Sequence, residues 1–302
     1  RLPLRSRRST PESPLPVIPM NLILGHNQFV GISHLSEERS EEMNSRFTSP
    51  QRIMEVVEAA YDIGVRSMIV ETHPRMLDFL KYYSKVDTVD MSFILQIPNV
   101  QEYIRTMNNK GIEGMSMDII RGSRPTMLIK GAMRSVKDVV QNNYAYVATT
   151  GLELIASPYY NYDITHVMVH NVITDFLLGL GMADVLMAAK ERMEDDYEVP
   201  VGFVTLNLPM FLEDFEEYRG RLNIMTPVNP LGYDMNDSKE EVEDRIRATD
   251  HHIMAMNILG GGSIPITEAI DYIKSLGKIE DCIIGSSNPE HIREAYMLLN
   301  GK

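Results

Sequence analysis

The chain has 302 residues but only one cysteine, Cys282, and no tryptophan. A single thiol excludes a disulfide framework and points to a reducing compartment, so a cytoplasmic location is expected. Cys282 lies within an apolar run and reads as a core residue. Positive charge is also scarce. With 29 Lys and Arg against 42 Asp and Glu, the net charge is −13, and no basic stripe follows the first nineteen residues. That argues against a nucleic-acid surface, which binds phosphate through clustered cations. No apolar run approaches the roughly 18 to 20 residues that cross a bilayer, so no membrane role is expected. There is no linker rich in Gly or Ser and no repeat with a period of about 20 to 50 residues. One domain is the economical reading.

What is present fits a soluble α/β chain, 44% hydrophobic and 24% charged. Residues 1–19 are rich in Arg, Ser and Pro, lack hydrophobic periodicity and are expected to be a disordered extension, an upstream reading of the frame before Met20. Apolar runs of strand length follow near residues 22, 68, 94, 167, 203, 225, 255 and 283. Most are separated by helical patterns, such as the face shared by Ile53, Val56, Val57 and Ala60. Eight alternating units at this length predict one (β/α)8 TIM barrel over residues 20–302. Between the third and fourth strands the chain is too long for a simple crossover, so a helical insertion is expected there. Within it, Gly114 to Ile119 could be strand or loop. The 21 methionines sit mostly inside apolar runs and read as gap fillers.

The last two units carry the clearest local signal. A strand running from His251 ends in Gly260, Gly261 and Gly262, and a helix follows. The next strand, with Cys282, ends in Gly285, Ser286, Ser287 and Asn288, and Pro289 with Glu290 opens the last helix. Both turns place backbone N–H groups and a positive helix end at the carboxyl edge of a strand, where a phosphate can sit.

These residues also carry a resemblance. "MAMNILGGG" followed by "CIIGSSNPEHIREAY", together with "YDITHVMVHN" ending in His170 and Asn171, resembles the seventh, eighth and fourth strand regions of the aldo/keto reductases. The resemblance implies NADP or NAD held near Gly260, Gly261, Gly285, Ser286, Ser287, Glu290 and Arg293, with carbonyl or alcohol chemistry at the barrel mouth. That family uses an aspartate, a tyrosine five residues later, a lysine and a histidine. Here His170 stands at the histidine, Glu71 at the aspartate, Met76 at the tyrosine and Gln96 near the lysine, so the proton donor must differ. Tyr82, Tyr83, Tyr159 or Tyr160 could supply one from a loop.

Strand ends converge on one mouth in such a barrel. They gather His26, Glu71, His73, Gln96, His170, Asn171, Asn207, Asn229 and Asn257, with His34 in the first loop. His170, Glu71, Gln96 and His73 are the expected catalytic set, since imidazole and carboxylate move protons near neutral pH. An alternative keeps the barrel and uses His26, Glu71, His73 and His170 to hold zinc or iron in a metal-dependent hydrolase or lyase. A third reading is a non-catalytic relative that binds a small-molecule ligand at the mouth. His251 and His252 lie at the opposite strand end and receive no role.

Overall fold

The structure is a computed structural model that describes residues 20–32, 36–141 and 143–301. The extension assigned to residues 1–19, and His34, lie outside them. Eight parallel strands close into a barrel in sequence order: β1 (Asn21–Leu24), β2 (Ser67–Glu71), β3 (Ser92–Ile97), β4 (Ile164–Val169), β5 (Val201–Val204), β6 (Asn223–Pro227), β7 (His252–Met256) and β8 (Ile279–Ile284). Every strand centre expected from the sequence lies within or beside its strand.

Successive strand residues alternate between the barrel interior and the helical layer. Ile23, Ile69, Ile94, Met168, Val204, Met225, Met254 and Ile283, one per strand, form an interior cluster of their own. Two residues further along each strand the interior positions become Gly25, Glu71, Gln96, His170, Leu206, Pro227, Met256 and Gly285. The mouth is therefore polar over β2 to β4, apolar over β5 to β7, and bare of side chains at the β1–β8 seam. Two residues earlier lie Asn21, Ser67, Ser92, His166, Gly202, Asn223, His252 and Asp281, a polar floor. His252 Nε2 meets Asp281 Oδ2 at 2.7 Å, and Asn21 donates to Asp281 Oδ1 at 2.9 Å. Gly202 is required there, because a Cβ would strike the Asn223 carbonyl and the Met168 sulfur.

The outer layer comprises α1 (Glu37–Arg46), α2 (Pro50–Ile63), α3 (Pro74–Val86), α4 (Val100–Gly122), α5 (Pro125–Val140), α6 (Tyr144–Ala156), α7 (Asn171–Gly179), α8 (Ala183–Tyr197), α9 (Leu208–Asp214), α10 (Lys239–Ala248), α11 (Ile266–Leu276) and α12 (Pro289–Asn300). The apolar faces of α2, α3 and α6 to α12 meet the outward strand residues in the main core. The face expected of α2 is buried, and Gly64, with φ of 125°, ends the helix. Among the described residues, no helix is long and apolar enough to cross a membrane.

Two elements depart from expectation. Helix α1, within the first loop, buries none of its residues, so it has no apolar period from which to be read. Gly114 to Ile119, left open between strand and loop, belongs to α4, which bends at Gly111 where φ is 71° and ψ is 174°. Helices α4, α5 and α6 form the insertion expected between β3 and β4.

Candidate active site at the barrel mouth

Period two brings Glu71 and Gln96 to the mouth as register neighbours on β2 and β3. His170 follows β4, its N–H donating to the Ile97 carbonyl. After β1, a short 3-10 turn over Asn27–Val30 folds the chain back. His26, which precedes that turn, lies with Nε2 3.3 Å from Glu71 Oε2, both groups buried.

Burial alone would raise the Glu71 pKa. The neighbouring His26 imidazole, then His73 and the Asn99 amide, outweigh it and hold the carboxyl below its usual range. Glu71 Oε1 is buried and makes no well-formed hydrogen bond among the described residues. An orphaned carboxylate oxygen in a buried site is costly unless something else completes it.

His73 and His170 serve a second purpose as helix caps. His73 Nδ1 accepts the Arg75 N–H at 3.1 Å at the start of α3, and His170 Nδ1 accepts the Val172 N–H at 3.2 Å at the start of α7. A nitrogen that accepts carries no proton, so each neutral ring presents Nε2–H. Burial lowers both pKa values, partly opposed by the Glu71 charge. At the mouth stand a carboxylate paired with one imidazole and two neutral imidazoles with fixed tautomers.

The same burial sets a dependence of stability on pH. His73, His166 and His170 all titrate below the usual imidazole range when folded, chiefly because burial penalises their charge. As pH falls through about 6.5 the unfolded chain binds protons that the folded chain refuses. Stability held at pH 7 is then lost progressively below that point. The thermal unfolding midpoint should drop between pH 7 and pH 5, and a flat or rising midpoint in calorimetry would contradict this assignment.

The metal set of His26, Glu71, His73 and His170 is not assembled. Among the described residues, no three His, Cys, Asp or Glu side chains are grouped to hold a metal ion. His26 is turned onto Glu71, and His73 and His170 spend one nitrogen each on their own helices. Nothing in this arrangement supports the zinc or iron expectation.

Tyrosines fall in three places. Tyr159, at the end of the insertion, donates to the His73 carbonyl at 3.3 Å, and burial, reinforced by Tyr103 and Glu71, keeps its phenol protonated. Tyr83 bonds Val89 and Met91 near the opposite strand end, while Tyr160 stacks on Tyr197. Met76, at the position of the family tyrosine, is fully buried. The asparagines at other strand ends stabilise loops: Asn207 caps α9, Asn229 bonds the Tyr233 backbone in both directions, and Asn257 donates to Asp234.

The two glycine turns differ. After β7, the Gly260 and Gly262 N–H groups donate to Asn257 and Leu259 and so close the turn on itself; Gly261, between them, has φ of 69°. After β8, Gly285 is exposed, Ser286 Oγ accepts the Asn288 N–H, and Asn288 caps α12 through the Glu290 N–H. Arg293, the cation noted from the sequence, is exposed on α12. Gln28, unassigned to that turn from the sequence, donates to the carbonyls of Gly25 and Ser286 at 2.9 and 3.2 Å. Arg46, also unassigned, donates to Ser287 Oγ at 3.3 Å. It lines a cleft of about 490 Å³ together with Arg52, Thr48, Ser287 and Pro289.

No protein-family model matches the sequence, and no curated protein matches it either. Two solved structures of a Pseudomonas aeruginosa protein described as an aldo-keto reductase superpose on it with TM-scores of 0.53 and 0.52. Each alignment covers 93% of this chain and 90% of the other, at 14% and 13% identity. The chain shares their fold. Two structures of Gox0644, one of them a variant in complex with NADPH, align at 11% and 12% identity over 83% of this chain and 80% of theirs, with a TM-score of 0.48. That likeness is too low to bear on the site. At these identities the likeness shows the barrel alone.

Proposed function

We propose that this barrel is an oxidoreductase of small molecules that interconverts a carbonyl and an alcohol with NADP or NAD, and that His26, Glu71 and His170 form its reacting centre. The observation that carries it is the buried His26–Glu71 pair, with Glu71 Oε1 left unpartnered. A reduced nicotinamide, when bound, would supply the hydride. His170 Nε2–H donates to the carbonyl oxygen and polarises it. His26, held against Glu71, gives a proton to the alkoxide as charge develops there, replacing the phenol of the family. In the reverse direction the neutral His26 accepts that proton. Gln96 and His73 flank Glu71 and offer further donors to orient the substrate.

The dinucleotide fits the β1–β8 side. Gly25 and Gly285 leave the seam bare, and a Cβ at Gly25 would stand 3.2 Å from the Ile284 carbonyl. Ser286, Ser287 and the start of α12 face a phosphate, with Arg46 providing the charge that the turn itself lacks.

Fluorescence titration with NADPH and NADH tests this reading. NADPH should bind, and Arg46→Ala should weaken it by about tenfold, the order of one charge-assisted contact, with a smaller effect on NADH. Absence of binding by either nucleotide would end the oxidoreductase reading. Binding without turnover of any carbonyl would favour a non-catalytic ligand-binding relative.

A further inference from the structure

Helix α7 follows the mouth residue His170 directly, and little of it is buried. Over its nine residues the buried side chains are Thr174 and Leu178, while Val172, Phe176 and Leu180 stand outward, exposed by 46%, 64% and 57%. A helix this short is marginal without tertiary contacts. Its first turn is closed by His170, whose Nδ1 accepts the Val172 N–H, although histidine is not among the side chains that favour that position. Where α7 sits therefore decides where the imidazole points.

Thr174 donates its hydroxyl to the Val169 carbonyl at 3.2 Å, which ties α7 to its own strand, β4. Asp175 carries the tie across to the next strand. Just past the end of β5, Thr205 donates its hydroxyl to Asp175 Oδ1 at 2.5 Å and the Leu206 N–H donates to Oδ2 at 3.0 Å. The first distance is that of a charge-assisted bond. Both carboxylate oxygens are matched to donors, and burial, which pushes the Asp175 carboxyl up, is opposed by Thr205 and then Leu206. A half-buried carboxylate is a costly way to attach a surface helix, since apolar packing would hold it without desolvating a charge. What the carboxylate adds is position. Leu206 is the mouth residue of β5, and with its N–H held by Asp175 its carbonyl accepts the Asn236 N–H at 2.8 Å. Thr205 Oγ1 also accepts the Asn207 N–H at 3.0 Å, so the same bond reaches the cap of α9.

We infer that Asp175 is a positioning residue of the mouth, one that fixes the His170 imidazole after β4 relative to the apolar wall that begins with Leu206 after β5. The inference rests on the carbonyl chemistry proposed above for its kinetic consequence alone. Because β4 and β5 are neighbours, a carbonyl held by His170 Nε2–H places a substituent against Leu206. Displacing such a donor by about 1 Å costs on the order of 10²-fold in rate. The charges that move the His170 pKa are those of Glu71 and His26, so Asp175 acts through the helix and not through its field.

Ring-nitrogen NMR of His170 in the full chain reads the tie without turnover. In Asp175→Ala the ring should lose its single Nε2–H tautomer, and its titration should rise toward the ordinary value, because the burial that lowers it is relaxed. Thr205→Val, which keeps the volume and removes the hydroxyl, should produce the same change from the strand side. Asp175→Asn, whose amide oxygen still accepts the Leu206 N–H, should restore most of the wild-type signal. In NADPH-dependent carbonyl reduction Asp175→Ala should lower kcat by about 10- to 100-fold, with NADPH affinity within about twofold. If the wild type reduces no carbonyl, the oxidoreductase reading fails and the NMR result still decides the tie. His170 signals unmoved in Asp175→Ala and Thr205→Val, both folded by circular dichroism, overturn the inference. So does an active wild type whose kcat survives Asp175→Ala unchanged. Should Asp175→Ala not fold, Thr205→Val decides by the same two readouts.

Discussion

Glu71→Gln is expected to lower kcat/KM for NADPH-dependent carbonyl reduction by roughly 10²- to 10⁴-fold, the usual contribution of a positioned proton-transfer group, while NADPH affinity stays within about twofold. The amide keeps the volume of the carboxylate, so the mouth does not collapse. It removes the charge paired with the His26 imidazole, 3.3 Å away. It also removes the one nearby negative charge that raises the pKa values of both His73 and His170. Each of these imidazoles should therefore titrate lower still in the variant, a shift that NMR detects independently of turnover. His26→Asn should be impaired to a similar degree, and the double variant scarcely more than either single one, because the two act as a unit. Full activity in Glu71→Gln would remove the pair from the reacting centre, even if nucleotide binding persisted. Unchanged titration of His170 would show that Glu71 does not influence the second imidazole.

How much of this was readable beforehand follows from the range of the interactions involved. The strands were legible because period two and period 3.6 are local, and the same parity carried Glu71, Gln96 and His170 to one mouth. His26 was visible as a mouth residue but not as the partner of Glu71, since the 3-10 turn that folds it inward leaves no apolar signature. Gln28 and Arg46 reach the β8 turn from 258 and 241 residues away in sequence. Nothing in the turn, read alone, announces them. Helix α1 was missed because it buries nothing. The apolar face of α5 points outward, because its inward face is held by ion pairs whose partners lie on α6 and α8, and those partners are too distant in sequence for the period of α5 to reveal them.

Those ion pairs define the second large effect. Arg134→Met is expected to destabilise the protein by about 3 kcal/mol, the lower end for breaking a buried pair by removing one partner. Arg134 donates to Glu153 Oε2 at 3.0 Å and to both Asp196 oxygens at 2.6 and 3.1 Å. The carboxylate side chains are only 1% and 2% exposed. Lys130 remains to serve Asp196, but Glu153 loses its cation, and its Oε1 already lacks a partner. Burial raises the Glu153 pKa, opposed first by Arg134, so the substitution raises it further. A carboxyl with a raised folded pKa penalises the fold above that pKa, and the penalty fades as pH falls toward the ordinary carboxylate value. The deficit of Arg134→Met relative to wild type should therefore be largest near pH 8 and shrink toward pH 5. Calorimetry across that range, with amide exchange read on α5 and α6, measures both the size and the place of the loss. The consequence extends to the mouth, because Tyr159 follows α6 and donates to the His73 carbonyl. Loosening the insertion should thus raise KM for the carbonyl substrate more than it lowers kcat. A loss below about 1 kcal/mol that does not vary with pH would mean that apolar contacts, not this network, hold the insertion against the barrel.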